Sequence, residues 1–265
     1  MRRSQMQMTL PVRFYRAVPT SNPTGLVEEG WTLDIARTAF IELHCWNIGC
    51  DGGIPAPEQF WVFVGNPENH EHMWRVVTEE IAPGIQAARR IGMPVVHVQG
   101  ESIAAHYTDL QPPMPPAAPI APGPSPISDH HIRRANRVHG EGYMEWEGWQ
   151  RIDVAEPVKP EDGDVVVVTT EQFDAWLRTR GIDTLLYTGF CTNLCILDSP
   201  CAVKAMAYLG YRCVILREAT SALEFPETME SRSHTRNAIR YIESWYGYSA
   251  SNRDFIRACE SLGRE

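Results

Sequence analysis

The chain has 265 residues and a mass of 29.9 kDa, which suits one large domain with extensions better than two full domains. Hydrophobic residues make up 43% and charged residues 22%, excluding a disordered, collagen-like or coiled-coil chain. The net charge of −9 offers nothing to neutralise a phosphate backbone or an anionic bilayer, and the longest apolar runs, such as residues 165–168, fall far short of the roughly 20 residues needed to span one, so neither nucleic acid nor membrane is an expected partner.

Residues 1–37 show no clear periodicity and are expected to form an N-terminal arm, with Asn22-Pro23 and Gly25 marking turns. They lack the unbroken apolar run of a signal peptide, so a cytoplasmic, reducing setting is expected. Seven cysteines, an odd number, argue against a disulfide scaffold. Residues 38–45, TAFIELHC, have the content of a buried strand. In a regular strand Glu42 and His44 share one face, and two ionisable groups there demand partners.

From His70 to Gly92 the residues Met73, Val76, Val77, Ile81, Ile85 and Ala88 recur at helical spacing, and Pro83 is expected to break or restart the helix. A strand, VVHVQ, follows. Residues 111–126 hold eight of the 20 prolines and read as an extended surface loop, part of an insertion spanning about 101–149. Beyond it, strand 164–168, helix 171–180, strand 183–189, helix 193–209 and strand 211–216 alternate, which predicts a parallel sheet with right-handed crossovers. Helices over 228–245 and 252–262 would cover one face. Glycine-rich nucleotide-binding patterns are absent, so no nucleotide site is supported.

Chemistry is concentrated where strand 183–189 ends. Asn193 is a good helix N-cap, which puts Cys195 in the first turn. Unpaired N–H groups and the helix dipole there favour thiolate and could also bind an oxyanion, making Cys195 a candidate nucleophile. On position alone, a small buried structural thiol is an equally good description.

The stretch T-G-F-C-T-N-L-C at 188–195, with L-G-Y-R at 209–212 and E-A-T-S-A at 218–222, resembles the isochorismatase-like cysteine hydrolases. T-A-F-I-E-L-H-C-W-N at 38–47 is similar to that family's opening strand. The resemblance covers about residues 36–100 and 150–225. It implies a three-layer α/β sandwich with a central parallel, Rossmann-like sheet over residues 38–265, whose site lies at the carboxyl ends of the strands. It further implies hydrolysis of an amide-type C–N bond in a small molecule through a thioester. Cys195 would be the nucleophile, the backbone N–H groups of Cys191 and Cys195 the oxyanion hole, and the Phe190-Cys191 peptide a cis bond. No organic cofactor is implied, and homo-oligomers, dimers or tetramers, are.

Two family side chains differ here: His44 stands at the position of the general-base Asp, and Thr169 at that of the Lys. Two readings follow. In one, His44 replaces the base, with Glu42 as a third catalytic member. In the other, catalysis is lost and the cleft binds a small molecule or serves assembly. Trp46, Tyr143, Thr169 and Phe190 are the candidates for substrate binding. Cys45, Cys50, Cys191 and Cys201, even with His44, lack the spacing of a zinc site, so structural thiols and no metal are expected. The pairs His70/His72 and His130/His131 read as solvated polar positions, and as an alternative either could reach a substrate from a folded-over loop.

Overall fold

The computed structural model describes residues 6–57, 66–116 and 128–263, with side chains at 128–132 and at 144 excepted. Most of the proline-rich stretch therefore lies outside the described residues. Eight strands form one sheet: β1 (Gln7–Arg16), β2 (Gly25–Asp34), β3 (Thr38–Leu43), β4 (Val95–Val98), β5 (Val165–Val167), β6 (Thr184–Phe190), β7 (Arg212–Ser221) and β8 (Tyr248–Ala250), in the order β2-β1-β8-β7-β6-β3-β4-β5. From β8 to β5 every pairing is parallel, while β1 runs antiparallel to both β2 and β8. β3, β4 and β6 are buried along their whole length. That burial explains why they read as near-continuous apolar runs: a parallel sheet is covered on both faces.

Helices form the outer layers: α1 (Pro67–Val76), α2 (Ala82–Arg90), α3 (Glu101–Ala104), α4 (Ser128–His139), α5 (Thr170–Arg180), α6 (Cys195–Asp198), α7 (Val203–Tyr208), α8 (Ser233–Trp245) and α9 (Asn252–Leu262). One core joins Phe40, Leu186 and Val214 to Ile85 of α2 and Phe255 of α9. The core on the opposite face joins Ile41, Tyr187 and Ile215 to Leu177 of α5, Met206 of α7 and Ile242 of α8. This is the expected three-layer sandwich. No described helix is long and apolar enough to cross a membrane.

Three local expectations are corrected and one is met. The expected N-terminal arm has regular structure: residues 7–34 make a two-stranded ribbon that extends the sheet, with Leu10 and Val12 fully buried. The expected restart at Pro83 is present: after a π-helical stretch at Val77–Ile81, α2 begins at Ala82 with the proline in its first turn, where its missing N–H costs nothing. The helix expected over 193–209 is two short ones, α6 and α7, interrupted at Pro200 and at Cys201 with its φ of 61°. The last long helix starts at Ser233, after Arg232 at a φ of 49°. The Glu224 carboxylate there accepts the N–H groups of His234 and Thr235 and so supplies the cap.

The site's location follows from topology. β3 leads across to β4 on one side, β6 leads to β7 on the other, and the two start side by side, so the crevice beyond their carboxyl ends is the switch point of the sheet. The strands meet closely there. Gly189 pairs with Leu43 at a φ of 111°, and a Cβ on it would stand 2.0 Å from the Leu43 carbonyl oxygen. Only glycine fits.

Candidate active site

β3 ends at Leu43, and His44 adopts a φ of 57°, a left-handed turn that takes its side chain out of strand alternation. Glu42 and His44 therefore do not share a face as a regular strand would require. The chain beyond is fastened along residues 153–155: Asn47 N–H donates to the Asp153 carbonyl (2.9 Å), the Asp153 N–H to Asn47 Oδ1 (2.9 Å), and the Ala155 N–H to the Cys45 carbonyl (2.8 Å). These bonds hold Trp46, whose indole lies over the His44 ring at 5.3 Å between centroids.

On the neighbouring strand, β6 runs out through Phe190 into a cis Phe190-Cys191 peptide, as expected from the resemblance. Asn193 is not the helix cap. Its Oδ1 accepts the Leu223 N–H (2.9 Å), tying the turn to the end of β7, and Leu194 occupies the cap position. Cys195 opens a helix of only four residues, too short to carry much dipole. Burial pushes its thiol pKa up, although the backbone N–H groups of Cys191 and Cys195, both directed at the sulfur, act in the other direction. The net rise is opposite to the expected fall, because the predicted long helix is one turn and desolvation outweighs two N–H groups.

His44, Trp46, Phe190, Cys191 and Cys195 line a single cleft, together with Ile48, Cys50, His70, Met73, Trp74 and Val77. Burial pushes the His44 pKa down to about 4, opposed by the Glu42 charge, so its imidazole is neutral at neutral pH. Its Nδ1 is buried without a hydrogen-bond partner. Burial also lowers His70, against contacts to the Gly49 and Ile48 backbone.

Glu42 is elsewhere. Fully buried, it accepts the Cys45 N–H (2.7 Å), His97 Nδ1 (2.8 Å) and Gln99 Nε2 (2.9 Å), and it makes no hydrogen bond to His44. His97 bridges onward to Asp164 (3.2 Å), which Arg89 also pairs. Burial disfavours each charge in this chain, but the partners prevail: His97 is raised, and Glu42 and Asp164 are lowered. Glu42 is a brace for the turn at Cys45, not a third member beside the imidazole.

Two other candidates also lie away from the cleft wall. Thr169 caps α5, its hydroxyl accepting the Gln172 N–H at 3.1 Å. Tyr143 stacks on His139 at 4.0 Å and meets Trp149 edge-on. The chain has two lysines. Lys159 pairs with Glu156, Lys204 pairs with Asp198, and neither lines the cleft. Among the described residues no group of three His, Cys, Asp or Glu side chains is placed to hold a metal ion.

Sequence reading missed the helical wall. His70, Met73, Trp74 and Val77 fall at i, i+3, i+4 and i+7, one face of α1 and its π extension. The periodicity was legible; that this stripe faces a cleft as well as the core was not.

Residues 59–245 match the isochorismatase domain. The chain belongs to the isochorismatase family. Within that family it is 29% identical over 185 residues to a ureidoacrylate amidohydrolase of Variovorax paradoxus strain S110, covering 67% of each chain. It is 27% identical over 189 residues to one of Pseudomonas savastanoi pv. phaseolicola, covering 67% of this chain and 69% of that one. A crystal structure of a cysteine hydrolase from Pseudomonas syringae pv. phaseolicola 1448A superposes with a TM-score of 0.53 at 17% identity, over 88% of this chain and 96% of that one, and shares the fold.

Proposed function

We propose that this isochorismatase-family chain is a cysteine hydrolase that cleaves an amide-type C–N bond of a small molecule. One observation carries the reading: Cys195 shares a cleft with a neutral imidazole, His44, and two backbone N–H groups point at its sulfur. Ureidoacrylate amidohydrolases among its relatives support the bond type.

In the proposed sequence His44 takes the thiol proton as the Cys195 sulfur attacks the carbonyl carbon. The N–H groups of Cys191 and Cys195 receive the negative charge that develops on the carbonyl oxygen. The C–N bond breaks as the leaving nitrogen takes the proton from His44, and water then hydrolyses the thioester with His44 again accepting a proton. Thiol and imidazole both start neutral, which avoids a buried ion pair in the resting cleft. Glu42 acts as a positioning residue through the Cys45 N–H. A cytoplasmic homo-oligomer fits the same reading, with the exposed Tyr208 and Trp245 offering apolar surface for assembly.

A second reading, binding without turnover, draws on the position of both lysines outside the cleft. Acid-quenched mass spectrometry separates the two. The folded wild type incubated with a panel of carboxamides is expected to show an acyl adduct on the Cys195 peptide with release of ammonia, and Cys195→Ala neither. No adduct and no ammonia across the panel would favour the binding protein.

A further inference from the structure

The cleft is lined by neutral residues, most of them apolar. Beside Cys195, Cys191 and His44, which the proposed reaction uses, its lining includes Cys50 and His70. The rest is Trp46 and Ile48 from the loop after β3, Met73, Trp74 and Val77 from the helical side, and Phe190 from the end of β6. None of the described lining residues is Asp, Glu, Lys or Arg. The two histidines supply no cation at neutral pH, since burial lowers both. Arg232 donates from Nη1 to the Asn69 side-chain oxygen (2.9 Å) and does not line the cleft.

We propose, resting on the hydrolase reading for the reacting end only, that the ligand of this cleft is a neutral amide whose acyl group is apolar, an aromatic ring or comparably sized hydrocarbon, and that a carboxylate on that group is rejected. A ring slides between two indoles, a thioether and a phenyl group, contacts that reward apolar area and aromatic geometry. An ionised carboxylate there loses its water and gains no cationic partner among the described lining residues, which disfavours it strongly.

The test uses a matched pair, para-toluamide and para-carbamoylbenzoate, which differ by a methyl against a carboxylate. Binding is read by tryptophan fluorescence and calorimetry in Cys195→Ala, which cannot turn over. The expected dissociation constant is at least about 100-fold lower for para-toluamide. Met73→Arg in the same background should narrow that ratio by about ten-fold or more, because a guanidinium then faces the carboxylate. Should Met73→Arg fail to fold, the wild type provides a second measure. The ratio of Cys195 alkylation rates by iodoacetamide and iodoacetate, divided by the same ratio in urea-unfolded protein, should exceed about ten. Equal or tighter binding of para-carbamoylbenzoate, no binding of either amide, or a normalised alkylation ratio near one overturns the proposal. The two failures are distinguishable: selective binding of the neutral amide without an acyl adduct in the wild type sinks the hydrolase reading and leaves the ligand class standing. An adduct formed equally well from the carboxylate does the reverse.

Discussion

His44 illustrates how one residue's backbone decides its chemistry. Its positive φ lifts the imidazole out of the strand pattern and presses it under Trp46, where water is scarce, and burial takes its pKa to about 4 from an ordinary 6.5. The sign of the consequence is definite. A lowered histidine pKa favours the neutral base in the folded chain, so stability from this group is complete above about 6.5 and is lost as pH falls through about 4. The same shift sets the proposed rate profile: kcat/KM should stay level through the neutral range and fall only near pH 4. A pH-rate profile with an acid limb at 6 to 7 would contradict His44 as the base in this environment. Sequence alone placed His44 and Cys195 on neighbouring strand ends through the resemblance. It could not reveal that Glu42 faces the other way, because strand alternation was assumed to continue one residue past the end of β3.

At the scale of elements, what the sequence made legible was the alternation of β5, α5, β6 and β7, where apolar runs and helical stripes are long and uninterrupted. What it hid were elements settled by distant partners. β8 is three residues long and makes sense only beside β7 and β1. The start of α8 is fixed by Glu224, nine residues upstream. The gap between α6 and α7 depends on a left-handed Cys201 that no propensity marks. Thr169 belongs to this scale too: the resemblance put it at a catalytic position, and the structure gives it an ordinary job at the head of α5. Thr169→Ala is expected to cost about 1 kcal/mol, measured as a lower urea midpoint with an unchanged slope. An unchanged midpoint would mean that the cap contributes nothing.

For the whole molecule, the ribbon of β1 and β2 is the largest departure from the expected plan. It closes one edge of the parallel sheet, burying Met8, Leu10, Val12 and Leu33 against it, and Arg13 reaches the buried Glu243 carboxylate of α8 at 2.7 Å. Leu10→Ala should therefore cost about 2–5 kcal/mol, like a central core truncation and unlike a change in an arm. Thermal denaturation checks it, and a loss under about 1 kcal/mol would restore the view of residues 1–37 as an appendage. The ribbon also has a consequence in time. Arg13 and Glu243 are 230 positions apart in the chain, so during synthesis β1 leaves the ribosome long before the strand and helix that it joins exist. Until β8 emerges, one edge of the ribbon lies open, with its alternating apolar side chains and unpaired amides available to any other strand. A protein built this way completes its sheet only once β8 has been synthesised, and its yield in a cell depends on how well that edge is shielded in the meantime.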